Sequence, residues 1–231
     1  SLLEHRVEGV ALIGHDHSDE TYNLLDIRNV PVVSMWNYKE NSKISCVGGE
    51  NKEAGAEIAK HITELGHTKI AVAFPNVKEN DRARDRKIGV IEYLNKKGII
   101  IPEYWNIKTE YSVSDARNCA IKLLDNYNHP TAIIAGNDVI ARGMIYAAQS
   151  RGLNVPNDIS ITGIGDFSSS ESSFPSITTV RMRPNEVGKK AASVLLERIN
   201  GDREADPTRI RVSVEVKARE STKLLSIELK I

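Results

Sequence analysis

Short apolar runs alternate along this chain with longer amphipathic segments that stop at glycine, and few folds accommodate that rhythm. The runs are Val10–Ile13, Val32–Met35, Ile70–Phe74, Ala132–Ala135 and Ile159–Thr162. None alternates strictly between apolar and polar residues, the pattern expected of strands buried on both faces. In the segment 51–65, Ala54, Ile58, Ile62 and Leu65 fall on one helical stripe, and Gly66 follows. Segments 82–97, 138–151 and 185–200 end likewise at Gly98, Gly152 and Gly201. A left-handed glycine at each stop would turn the chain back toward the next strand. A further helix is expected over 113–126, with Ala116, Ala120 and Leu124 inward. This succession predicts an α/β protein of parallel sheets flanked by helices.

The bulk properties narrow the function. With 231 residues, 40% apolar and 27% charged, the chain can bury one large core or two small ones. Thirty-one basic residues balance 31 acidic ones, which argues against nucleic-acid binding by this chain alone. No apolar run approaches the ~18 residues of a membrane span. The start, Ser1-Leu2-Leu3-Glu4-His5-Arg6, has no charged and apolar regions of a leader, so a cytoplasmic location is expected. Cys46 and Cys119 are too isolated for a disulfide framework or a zinc site and read as reduced core residues. The polar stretches 37–43 and 168–173 read as loops, and 211–216 as a half-exposed strand.

Ligands of doubly wound sheets lie beyond the carboxyl ends of the strands. The residues there are His15-Asp16-His17, then Trp36 and Asn37, then Asp81-Arg82-Ala83-Arg84-Asp85-Arg86, then Tyr111, Asn137 with Asp138, and Gly165-Asp166-Phe167. Amides, carboxylates, guanidinium groups and aromatic faces suit a polyhydroxylated ligand. No nucleophile elbow, P-loop or dinucleotide fingerprint occurs, so neither catalytic residues nor a cofactor are expected. Each residue also has a plainer reading. The His-Asp-His triplet fits an exposed loop better than a metal site, because alternate residues of an extended segment point apart. Asp138 and Asp166 could be helix caps, Tyr111 a core residue, and the arginine run a solvated face. Against the last, Arg82, Arg84 and Arg86 stand near a helix start, where the dipole disfavours cations.

In order, the segments Arg6-Val7-Glu8-Gly9-Val10, Asn29-Val30-Pro31-Val32-Val33, Asn51-Lys52-Glu53-Ala54-Gly55, Leu65-Gly66-His67, Arg86-Lys87-Ile88-Gly89, Pro130-Thr131-Ala132 to Asn137-Asp138, Gly152-Leu153-Asn154-Val155-Pro156, Thr178-Thr179-Val180-Arg181 and Arg219-Glu220-Ser221-Thr222 resemble the effector-binding part of the LacI-type transcriptional regulators. The resemblance implies a two-lobed fold of periplasmic-binding-protein type, with the effector between the lobes. It implies an N-terminal lobe of 1–48 and 182–212 and a C-terminal lobe of 49–181 and 213–231. The expected effector contacts are Arg86, Asn137, Asp166, Tyr111, Trp36 and Asn37, with no metal.

The resemblance further implies a homodimer, a small sugar or sugar-acid effector, and operator DNA bound through an N-terminal helix-turn-helix absent here, together with the first strands of the N-terminal lobe. Gly165 stands where most of the family has an effector-binding aspartate. That departure looks more like the gluconate-repressor subgroup. A solute-binding protein of a sugar transporter shares the fold and is the alternative; an enzyme has no nucleophile and base to support it.

Overall fold

The computed structural model describes residues 7–126, 128–201 and 205–225. Arg6 of the first motif and the ends of both proposed lobes lie outside them.

Two sheets form. The first joins β1 (Val10–Ile13), β2 (Val32–Met35), β3 (Ser45–Gly48) and β9 (Arg209–Arg211), in that order and all parallel. The second has β10 (Glu215–Lys217), β8 (Thr178–Arg181), β7 (Ser160–Gly165), β6 (Ala132–Ala135), β4 (Ile70–Phe74) and β5 (Asn106–Lys108), in that order. It is parallel except for β10, which runs antiparallel to β8, so the expectation of purely parallel sheets is corrected at that edge. The chain passes between the sheets at three places: from Gly48 to Asn51, from Arg181 to Pro184, and from Arg211 to Glu215.

Helices cover both faces of the second sheet. On one face, α2 (Asn51–Glu64) and α3 (Asp81–Lys96) bury Ile58, Ile62, Val90 and Leu94 against Ile70, Val72, Phe74 and Ile134. On the other, α4 (Val113–Leu124) and α5 (Asp138–Ser150) bury Ala116, Ala120, Met144 and Ile145 against Ala71, Ala73, Ile133 and Ile161. Successive strand residues thus enter opposite cores, which is why these runs are apolar throughout. The first sheet rests on α7 (Pro184–Asn200), through Val187, Ala191 and Val194 against Val33 and Val47. Its α1 (Asp19–Ile27) buries Leu25 alone.

Gly66, Gly98 and Gly152 take the left-handed stop, with φ of 84°, 74° and 74°. Gly201 does not: its φ is −111°, and glycine is needed because a Cβ would stand 2.7 Å from the Glu197 carbonyl oxygen. Three further expectations are corrected. Residues 168–173 contain a helical turn, α6 (Ser168–Glu171), held by tertiary bonds described below. The stretch 211–216 is the end of β9 and the start of β10, split by a change of sheet. Cys46 is buried, but Cys119 is only half-buried, its thiol directed at the Lys108 carbonyl.

At the crossing of α2 and α3 the two helix backbones approach very closely. A Cβ on Gly55 would stand 2.0 Å from the Arg86 carbonyl oxygen, and one on Gly89 would stand 1.9 Å from that of Lys52. Both obstacles are helix backbone and cannot swing aside. Gly89→Ala is therefore expected to lower stability by about 1–3 kcal/mol through overpacking. Gly188, exposed on α7 with nothing near its missing Cβ, is the control. Gly188→Ala should stabilise by about 0.5–1 kcal/mol, as helix propensity dictates. Urea unfolding midpoints of the two variants moving in opposite directions is the expected result.

Candidate functional site

The close helix crossing fixes where Arg86 lies. Asn80 caps α3 by accepting a hydrogen bond from the Ala83 N–H, and Arg86 follows in the second turn. The Arg86 side chain is buried, and its bonds go to neutral groups: Nε donates to Asn51 Oδ1 at 2.7 Å and Nη1 to the Gly136 carbonyl at 3.1 Å. Burial works against its charge and lowers its pKa, with Tyr111, Asp138 and Asp81 acting in the opposite sense from farther away. Gly136 packs against the Phe74 ring so closely that a Cβ there would stand 2.7 Å from it.

Of the expected contacts, Asn37 and Trp36 come to the same place. The buried Asn37 donates from Nδ2 to Asp81 (2.7 Å) and Asp85 (2.9 Å) and accepts from Asn51 Nδ2 at 3.1 Å. Trp36 has φ of 75°, and its carbonyl accepts from Asn51 Nδ2 at 2.8 Å. Asn137 adjoins Gly136 and caps α5, its Oδ1 accepting from the Ile140 N–H. Its Nδ2 donates to no group among the described residues. Tyr111 is not core: it is 45% exposed, with its hydroxyl accepting from Asn80 Nδ2.

Asp166 stands apart. Its φ is 58°, Oδ1 accepts from Arg219 at 2.7 Å, and Oδ2 accepts from Arg181. Burial opposes its charge, but the hydrogen bonds from Arg181 and Arg219 outweigh that and hold the carboxyl below the ordinary aspartate range. It caps no helix; Phe167 occupies the cap position of α6. Asp138 caps none either. Its carboxylate is a brace, accepting from the Phe167 N–H (2.9 Å), Ser170 Oγ (2.6 Å) and Thr179 Oγ1 (2.5 Å).

The first turn of α3 reaches the end of the other sheet. Buried Asp81 accepts the His15 N–H at 2.9 Å, Arg82 donates to the Ile13 carbonyl at 2.7 Å, and Arg84 forms a forked pair with Asp16 at 2.7 and 3.0 Å. Desolvation opposes the charge of Asp81, but hydrogen bonds from Asn37 and His15 lower its pKa overall. The arginine run therefore divides. Arg82 and Arg84 bridge the sheets, and Arg86 alone turns into the interior. The His-Asp-His triplet serves the bridge: the His15 ring donates to the Asn37 carbonyl, and His17 packs edge-on to Tyr22. Among the described residues, no cluster of three potential metal ligands occurs, and no helix is long and apolar enough to cross a membrane.

One open cavity lies away from this junction. About 690 Å³ opens between α1 and the 39–45 loop, lined by Tyr22, Leu25, Val32, Lys39 and Ile44 among others, and by none of the six expected residues. Sequence reasoning missed the role of Asn51 and placed Asp81 beyond a strand end without its role in the bridge. Both start helices, where a polar residue reads as a cap, yet each spends its side chain across the cleft.

Two lobes of mostly parallel sheet facing each other across such a polar junction define a two-lobed α/β fold. Residues 59–222 match the periplasmic binding protein-like domain, and the chain belongs to that family. Its relatives and structural neighbours in that family include LacI-type transcriptional regulators. The chain is 30% identical over 209 residues to the HTH-type transcriptional repressor PurR of Erwinia tasmaniensis, covering 90% of this chain and 61% of the repressor. The chain thus spans about three fifths of that relative's length. It also resembles the solved LacI family transcriptional regulator of Enterococcus faecium with bound ribose, at 25% identity and a TM-score of 0.86, covering 97% of this chain and 82% of that one. The transcription regulator GntR of Chromobacterium violaceum, at 24% identity, 0.86, and 95% and 80% coverage, shares the fold. The matched relatives are regulators, not enzymes.

The Asp166 brace gives a pH prediction. A carboxylate whose folded pKa is depressed adds stability above its unfolded pKa, and this is lost as pH falls through the folded value. Asp166→Asn should cost roughly 1–3 kcal/mol at pH 7, as for lost hydrogen bonds to a charged group. The gap between the variant and the unsubstituted protein should shrink steadily below about pH 4, the ordinary aspartate range. Urea unfolding at a series of pH values checks this; a gap independent of pH would contradict it.

Proposed function

We propose that this chain is the effector-sensing domain of a DNA-binding transcriptional repressor, taking a sugar or sugar acid between its lobes. The lobes are assigned as 1–48 with 182–212 and 49–181 with 213–231, a division supported by the membership of the two sheets. The observation that carries the reading is the buried Arg86 guanidinium, bonded only to neutral oxygens among the described residues. A desolvated cation without a counter-ion is unfavourable unless something anionic or strongly accepting completes it. A ligand carboxylate reaching Arg86 makes a charge-assisted pair. The free Nδ2 of Asn137 donates to the same ligand, Tyr111 and Trp36 cover its apolar face, and Asn37, its amide already bonded to Asp81, Asp85 and Asn51, holds the wall beside it. Gly165 keeps a competing carboxylate out of the site. Asp166, both oxygens held by arginines, serves as the wall behind it rather than as a hydroxyl acceptor.

Effector binding would shift the balance between lobe arrangements. Operator DNA would be engaged through a helix-turn-helix outside these residues, in a cytoplasmic homodimer matching the two-fold symmetry of operators. The repressor names of the curated relatives favour this reading over a transport protein. Calorimetric titration of the full-length protein with gluconate-type acids and the matching neutral sugars tests it. Acids should bind more tightly than neutral sugars, and Arg86→Ala should cost about 2–5 kcal/mol of acid binding, as when one partner of a buried charge pair is removed. Equal binding of neutral sugars, or an Arg86→Ala variant with unchanged affinity, would sink the sugar-acid assignment.

A further inference from the structure

Asn51 occupies the point where three functions meet. It is the first residue of α2, directly after the chain leaves the first sheet, and only 1% of it is exposed. Its Oδ1 accepts from Arg86 Nε at 2.7 Å, while its Nδ2 donates to the Trp36 carbonyl at 2.8 Å and to Asn37 Oδ1 at 3.1 Å. One amide therefore holds the buried guanidinium of one lobe and the strand-end loop of the other.

That loop needs holding. Trp36 is a non-glycine residue at φ of 75°, a conformation that persists only where its surroundings enforce it. The loop also presses on β3 so closely that a Cβ on Gly48 would stand 2.6 Å from the Asn37 nitrogen. Asn51 does not cap its own helix; the cap position belongs to Glu50, which makes no side-chain cap bond. Its amide is committed across the cleft.

We infer that Asn51 is a positioning residue: it aims Arg86 at the effector and ties that aim to the lobe-one loop, so that the arrangement of the lobes and the orientation of the anchor change together. This rests on the reading of Arg86 as the effector anchor. The amide is the one side chain of this size that suits all three bonds, because it accepts and donates at once. Aspartate at 51 keeps an acceptor for Arg86 but loses the donor, sets a carboxylate against the Trp36 carbonyl, and neutralises the guanidinium that an acidic effector would need.

Full-length protein labelled with ¹⁵N-arginine tests the positioning without any ligand. The Arg86 Nε–H resonance, assigned by its loss in Arg86→Lys, should exchange with water at least tenfold faster in Asn51→Ala and stay protected in Asn51→Asp. Titration then tests the consequence. With D-gluconate and D-glucose as probes, Asn51→Asp should lower the preference for the acid at least tenfold, a change in selectivity that mere loosening of the fold would not give. Circular dichroism melts show whether each variant is folded; if Asn51→Ala is not, the exchange of Asn51→Asp and its selectivity decide. Unchanged Arg86 protection in a folded Asn51→Ala variant, or unchanged selectivity in Asn51→Asp, overturns the inference. Failure of the unsubstituted protein to bind either probe would count against the effector reading instead, leaving the exchange measurement to judge Asn51.

Discussion

The structure turns on the approach of α2 and α3, at which each backbone occupies the space a methyl group of the other would need. Interiors are packed too densely for such a contact to yield, so the two helices move as one body. Asn51 at the head of α2 and Arg86 in the second turn of α3 are registered against each other by that contact. The motifs Asn51-Lys52-Glu53-Ala54-Gly55 and Arg86-Lys87-Ile88-Gly89 are thus two halves of one device. In each, a polar residue reaches toward the other helix or lobe and a glycine, three or four residues on, sets the distance.

The same helix carries both the buried Arg86, the proposed anchor, and the bridge between lobes. Asp81, Arg82 and Arg84 reach the ends of β1 and β2 through backbone and side-chain bonds, one turn before Arg86. A movement of the first lobe is therefore felt at the start of α3, within a few residues of the buried Arg86. Charge is distributed to match. The acidic groups Asp81, Asp138 and Asp166 are each satisfied by several donors, and the buried guanidinium is left with neutral partners. In a low-dielectric interior that difference marks where a further anion or acceptor is favoured.

Much of this was legible in the sequence, and the failures have physical causes. Strands β4 and β6 were readable because burial on two faces writes an unbroken apolar run; β1 and β2 carry such a run too, although no residue of β1 is buried and only Val33 and Ser34 of β2 are, so two-faced burial was the wrong reason there. Strand β3 escaped notice since Ser45-Cys46-Val47-Gly48 is polar and small, although all four residues are buried. Helix α1 was invisible for a related reason: with only Leu25 buried, it shows no stripe. The serine-rich α6 forms through bonds from Ser170 to Asp138 and from Arg142 to Ser169, which local propensity does not encode. Arg86 was identifiable as a charge placed against the helix dipole. Asn51 was not, because nothing in a sequence distinguishes an asparagine that caps its helix from one that reaches across a cleft.

Gly165 has a consequence for how such a protein can change its ligand. Its φ is 143°, a Cβ there would press on the Phe167 ring at 3.1 Å, and the next residue, Asp166, is itself left-handed. An aspartate placed at 165 would meet strain before it met any ligand. The Asp166 brace to Arg181 and Arg219 fixes that backbone from the other side. Replacing a glycine-type pocket with an aspartate-type one is thus no single mutational step. The turn after β7 must change its backbone before a carboxylate at 165 could be accommodated, so the side chain allowed there is set by the chain path and not by the ligand alone.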